Sequence, residues 1–419
     1  MLSAGSIRAK NVKNILLKST LDATLGGLVW WVFGYGIAYG GDSSFIGTGS
    51  NYLLIGADDT GTENTKGYAW AGFFFQYCFC AACATIVSGA VAERAQLGAY
   101  LIYCTAIIGF IYPVVVHWVW DSAGFLCGWN ANAMMGGMID FAGSGVVHMT
   151  GGVAAMVGAK VLGPRLGRFE EGIPDSNFSG HSSALQVLGT FLLWFGWYGF
   201  NPGSTLYIHG YARDAARAAV TTTLSACSGA VTGLYIKRLL PAKLGGSPGV
   251  WDLGHTCNSL LGGLVGITAG TSVTSPWAAV LIGFISAWVY HGASCLMRKL
   301  KIDDPLDAFA VHGACGAWGV IAVGFFAHGS YAYCGAPNNG AGGCDAGLFY
   351  GGKGVLFGVQ FVGVLIEFAW VSVLCTVLFM GLKLAGIFRT SADVERAGMD
   401  VSKHGGHAYP ADADVASKA

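Results

Sequence analysis

The chain has 419 residues, 53% of them hydrophobic and only 11% charged, whereas roughly a quarter of an ordinary soluble domain is charged. Its 23 basic residues balance 23 acidic ones, which excludes both a basic field that attracts nucleic acid and an acidic surplus that keeps a chain disordered. Glycine is abundant, at 66 residues with no G-x-y period, and aromatics make up 13%. Small residues suit closely packed transmembrane helices, and rings suit interfacial belts or a lined pore.

In chain order, Met1 to Ile7 is too short to cross a bilayer and lacks signal-peptide architecture. It runs into the cationic segment Arg8, Lys10, Lys13 and Lys18, so residues 1–20 read as the remnant of a truncated first helix and a cytoplasmic loop. Ten apolar runs follow, at 21–39, 69–89, 98–118, 140–162, 184–202, 214–236, 252–271, 276–297, 308–328 and 354–385. Each has the length needed to cross roughly 30 Å of hydrocarbon, and such continuous runs satisfy their backbone only as helices. The expected class is therefore an all-α membrane protein.

The loops fix its sidedness. Of the 23 Lys and Arg residues, 19 fall on one side and four, Lys66, Arg213, Arg217 and Lys353, on the other. The positive-inside rule then places both ends in the cytoplasm. Asp42 to Lys66 and the extracellular loop 329–353 are external, and Cys334 and Cys344 there form either a disulfide or a free pair. Residues 163–183 form a cytoplasmic linker and 386–419 a cytoplasmic tail.

Two stretches share a pattern: DFAGSGVVH, from Asp140 to His148, and DPLDAFAVH, from Asp304 to His312. Five spans separate the two histidines, and an odd number of crossings reverses direction, as in the inverted repeats of transport folds. The first repeat covers 21–162, the second 184–328, and 354–385 is a last span. With each helix starting at its Asp, eight residues place each histidine about 12 Å in. That is close to the midplane of a core roughly 30 Å thick. Each Asp also suits an N-cap.

Polar groups at that depth are expensive and tend to line a pathway or hold a cofactor. Twin imidazoles relay protons, exchange hydrogen bonds when neutral, or ligate a haem. Trp197, Phe200 and Ser204 lie on one helical face near an external end. They suit a small cation site, since ring faces attract cations and a hydroxyl adds one hydrogen bond. Glu367 lies inside the last span, where a carboxylate is functional, paired or protonated. No metalloprotease, nucleotide-binding or serine-hydrolase motif stands in a suitable context, so nothing here marks an enzyme.

At these residues the chain resembles the ammonium transporter superfamily, on the Amt rather than the Rhesus side, in its plant-like eukaryotic branch. DFAGSGVVHMTGG resembles the family signature, supported by VSGAVAER, FGWYGFNPGS, DDPLDAFAVHGACG and GMDVSKHGGHAY. The resemblance implies eleven spans in inverted five-helix repeats, of which ten are complete here, a homotrimer, and a pore through each subunit, with no cofactor. It implies that Trp120, Phe79 and Ser204 recruit external ammonium with Asp140 as support. Phe79 and Phe200 would form a stacked gate, and His148, His312 and Trp197 would line the pore. Gln76 and Asn201 fall in matching motifs. Ser402 stands where plant relatives carry a phosphorylatable threonine, so a kinase is a further expected partner, with an unmodified serine as the alternative. The expected mechanism is recruitment, deprotonation, passage of ammonia and proton movement along the histidines, in the plasma membrane. Its rivals are an electroneutral ammonia channel, an ammonium sensor signalling through its tail, and a bis-histidine haem protein.

Overall fold

A computed structural model of the chain describes residues 1–41, 43–49, 51–55, 68–331 and 346–409. Cys334 and Cys344 lie outside the described residues, as does most of the segment from Asp42 to Lys66. Helix α1 (Leu2–Ser6) precedes α2 (Ala9–Tyr39), α3 (Ala69–Ala90), α4 (Leu97–Trp120) and α5 (Ser144–Leu162). Then come α6 (Ser183–Phe200), α7 (Ala212–Leu239), α8 (Leu253–Thr268), α9 (Pro276–Lys299), α10 (Phe309–Phe326) and α11 (Val355–Leu384). The tail carries α12 (Ala392–Ala397) and α13 (Met399–Lys403).

All ten expected spans are helices. Eight are long and apolar enough to cross a membrane; the others are α6, with 18 residues, and α8, with 16. Large apolar side chains such as Phe195, Val377 and Leu384 point outward, an arrangement that suits lipid rather than water, while polar Gln360 and Glu367 are buried.

Helix α2 starts well before residue 21. A tail residue accounts for this: the Asp400 carboxylate accepts the N–H groups of Lys13 (2.9 Å) and Asn14 (3.0 Å), capping the first turn.

The helices carrying the twin histidines also start later than the sequence suggests. α5 begins at Ser144 and α10 at Phe309, each with a π-helical turn, Ser144–Met149 and Phe309–Ala314. Each Asp therefore lies before its helix, in a loop that turns through a positive φ at Gly143 (94°) and Asp307 (56°). The Phe141 and Ala142 N–H groups bond to the carbonyls of Ala269 (2.9 Å) and Thr268 (3.2 Å) at the end of α8. The histidines thus sit about one turn into their helices, roughly 5–6 Å rather than 12 Å. Both starts moved by similar amounts, so the two keep matching positions in their helices. α5 and α10 meet at Gly152 and Gly313, where a Cβ on Gly152 would collide with the Gly313 backbone.

On the face that bears the tail, an ionic clasp ties three loops. Arg165 forks onto Asp303 (2.8 and 3.0 Å) and reaches Glu93 (2.9 Å). Arg8 pairs with the second Glu93 oxygen. Arg94, fully buried, donates to the carbonyls of Asp303 (2.6 Å) and Gly163 (2.9 Å). Burial alone would raise the Asp303 carboxyl, but Arg94 and Arg165 outweigh it and hold it well below the usual carboxylate range.

Candidate functional site

Asp140 holds the site together from below the rings. Oδ1 accepts the N–H groups of Gly143 (3.0 Å) and Ser144 (2.8 Å), and Oδ2 those of Gly145 and Val146 (both 2.9 Å). One carboxylate therefore satisfies four N–H groups at the start of α5. Its own carbonyl accepts the indole N–H of Trp120 at 2.7 Å, fixing that ring. Asp304 is a weaker counterpart, accepting the Phe309 N–H at 2.8 Å through Oδ2, while its Oδ1 has no hydrogen-bond partner.

Above α5 the aromatic side chains come together. Trp120 meets Phe79 edge-on, with centroids 5.6 Å apart and planes at 81°. Phe79 lies flat on Phe200 at 3.9 Å and 15°. Ser204 follows in a 3-10 turn, Pro202–Thr205, and its hydroxyl donates to the Phe200 carbonyl at 2.8 Å. Phe79, Phe200 and Trp120, distant in sequence, thus form one ring cluster, with the Ser204 hydroxyl tied to its edge.

Below the stacked pair lie the histidines. His148 stacks on Trp197 (5.1 Å, 13°) and on His312 (5.2 Å, 21°), and it touches Phe200 at 5.4 Å. The two Nδ1 atoms are 3.2 Å apart. One must carry hydrogen and the other be bare, so at least one imidazole is neutral. Trp197 is held by its indole N–H on the Thr268 hydroxyl (3.0 Å). A cavity of about 430 Å³ opens beneath Phe200, lined by both histidines, Trp197, Val311, Leu261 and Asn258. Phe200 lines it and Phe79 does not, so the stacked phenyls stand at one end of the cavity.

The haem alternative fails a direct fit. Ligating nitrogens 3.2 Å apart on nearly parallel rings leave no room for a macrocycle between them. Asn201 plays a packing part, its amide donating to the Thr222 hydroxyl at 2.9 Å, and Gln76 Oε1 is buried without a hydrogen-bond partner. Two neighbours escaped sequence reasoning. Phe75 packs on Phe79 at 4.6 Å, readable only as one more ring one turn earlier on α3. Gln360 holds the Ile139 backbone at both ends, by 2.7 Å bonds to its N–H and carbonyl, and no spacing signal links the two.

A family model described as "Ammonium Transporter Family" matches residues 1–409. The chain belongs to the ammonium transporter family. It is an integral, multi-pass membrane protein of that family. It is 46% identical over 422 aligned residues to "Ammonium transporter 1 member 2" of Arabidopsis thaliana, covering 97% of this chain and 79% of that protein. It is 44% identical to "Ammonium transporter 1 member 3" of Solanum lycopersicum, covering 98% and 89%. Among solved structures, a "Sensor Amt Protein" superimposes with a TM-score of 0.81 at 31% identity, covering 96% and 92%. Candida albicans Mep2 follows with a TM-score of 0.78 at 27% identity, covering 94% and 82%. The family's fold is thus the one expected from the sequence.

Proposed function

We propose that this family member moves ammonium inward across the plasma membrane, as a homotrimer with one pore per subunit. The cation is recruited externally by Trp120, Phe79 and Ser204, with the Asp140 carboxylate beneath them. Ammonium leaves water only if something replaces its hydration; ring faces and one hydroxyl acceptor do so in part, and its N–H groups distinguish it from potassium.

Below the phenyl gate an intact ion would be most costly. Ammonium therefore releases a proton, ammonia crosses the apolar cavity, and the proton moves separately along His148 and His312. The observation that carries this reading is the 3.2 Å Nδ1 contact in a cavity that has the stacked phenyls at one end. Two like atoms at that spacing suit one hydrogen bond between them, the arrangement a relay needs.

Recording from membranes holding the protein, with ammonium, methylammonium and potassium applied in turn, tests it. A selective ammonium-evoked current supports the proposal. Uptake without current would replace it with electroneutral ammonia conduction.

The tail favours a second, regulatory reading. It caps α2 through Asp400, and Ser402, exposed on α13, lies two residues away. A phosphate placed there by a kinase adds close to two negative charges beside Asp400 and weakens the docked tail. With the positive-rich face inward, this tail is cytoplasmic. The sensor reading would replace transport if signalling persisted in a His148 variant that carries no flux.

A further inference from the structure

Glu367 is the buried acid that the transport reading leaves unused. It is fully buried in α11, and neither carboxylate oxygen has a hydrogen-bond partner. An anion without donors at that depth would be strongly destabilising.

Its position is held from the same helix. Two turns earlier, Gln360 locks α11 to the loop before α5, by its bonds to both ends of Ile139 and to the Val320 carbonyl (2.8 Å). Positions 360 and 367 share one helical face, so the clamp that holds Ile139 also sets Glu367 under the start of α5. There it meets Gly145. A Cβ at Gly145 would stand 2.6 Å from Glu367 Oε2 and 3.2 Å from Asp140 Oδ2. The two carboxyl groups therefore border one small space that only glycine leaves open.

The two acids are not equivalent. Asp140 accepts four N–H groups at a helix start, all of which favour its anion. Glu367 accepts none. Of two carboxyl groups bordering one buried space, the one without donors is the one that gains by holding a proton.

We propose that Glu367 is a positioning residue for the cation site: it holds a proton and turns its O–H dipole toward the Asp140 carboxylate. The pair then places one negative charge, partly spread onto Glu367, beneath Trp120. This rests on the recruitment site proposed above, and it is tested both with and without transport.

The transport-free test is infrared difference spectroscopy of the purified protein at neutral pH. A protonated-carboxyl stretch should be present in the wild type, absent in Glu367→Gln, and shifted by Asp140→Asn, because the acceptor loses its charge. Identical spectra for wild type and Glu367→Gln would overturn the proposal even if the protein transports ammonium as described. A band unmoved by Asp140→Asn would overturn the pairing. The second test is the ammonium dependence of the evoked current. Glu367→Leu removes the donor and leaves Asp140 a stronger field, so the half-saturating concentration should fall about threefold, while Gln, which offers an N–H in place of the O–H, should reverse most of that change. An unchanged value in Leu, or no recovery with Gln, would show that Glu367 does not act through Asp140. Should Leu fail to reach the membrane, the infrared comparison still decides.

Discussion

His148 and His312 approach Nδ1 to Nδ1 at 3.2 Å, although 164 residues separate them. Such a contact holds only while one nitrogen bears hydrogen and the other does not. Replacing both by alanine leaves the cavity apolar and removes the proton's carriers. Ammonium-evoked current should then drop at least about a hundredfold, the lower end of what losing a positioned proton-transfer group costs. Solid-supported membrane recording measures it, and an undiminished selective current would refute the relay.

Phe200 has a ring on each side, Phe79 at 3.9 Å and His148 at 5.4 Å. Phe200→Ala opens the phenyl end of the cavity and wets it. The expected outcome is loss of discrimination, with potassium carrying measurable current where the wild type passes none. Reversal potentials in mixed ammonium and potassium solutions read this directly. Continued exclusion of potassium would place the selectivity filter elsewhere.

Asp140→Ala orphans four buried N–H groups and so loosens the loop, although the main-chain carbonyl that accepts the Trp120 indole N–H is kept. An unsatisfied buried donor costs about 1–3 kcal/mol, so the α5 start should lose several such increments. A large fall in the detergent melting temperature is expected, together with loss of uptake. Asn at the same place keeps part of the cap and should fall between the two. Melting unchanged in Asp140→Ala would show that the cap does not stabilise the start of α5.

The clasp around Asp303 makes a prediction about stability alone. Asp303→Asn removes the carboxylate that buried Arg165 forks onto, leaving it Glu93 alone, while the Arg94 bond to the Asp303 carbonyl is kept. Breaking a buried pair by removing one partner costs about 3–5 kcal/mol. Thermal unfolding followed by intrinsic fluorescence should show the shift, and Asp303→Glu should recover some of it. A melting point within error of the wild type would mean that Arg165 finds another partner.

The tail should respond to acid. Burial lowers His404 below its ordinary value, with Asp400 opposing and Lys18 and Lys13 assisting, and its Nε2 accepts the Asn14 side-chain N–H at 2.8 Å. An undocked imidazole titrates near about 6.5, so below that pH the free tail binds more protons than the docked one. Docking is therefore strongest above that value and weakens as pH falls through it. Protection of the amides of residues 399–404, taken relative to their intrinsic exchange at each pH, should fall between pH 7.5 and 5.5, and less so in His404→Gln. Equal protection at both values would exclude this titration.

Much of the fold was legible because hydrocarbon thickness imposes a run length that a sequence displays without knowledge of its neighbours. The ten helices, their alternating charge and the two DxxxxxxxH stretches all follow from local periodicity and spacing. The helix starts were misjudged by several residues for an equally physical reason. An acid followed by an apolar run looks the same whether its carboxylate caps the next residue or folds back onto four N–H groups, as at Asp140. Only the bonds from Phe141 and Ala142 to the end of α8 choose between these.

Amino-acid order by itself determined what this protein is: a helical membrane protein of the ammonium transporter family, with paired histidines in oppositely running halves. Tertiary structure alone decided which side chains meet. The phenyl stack, the contact between the imidazoles and the approach of Glu367 to Asp140 join residues far apart along the chain. A helical period states which face a residue occupies, but the neighbour it faces depends on how helices pack, and that is set by contacts across the whole bundle.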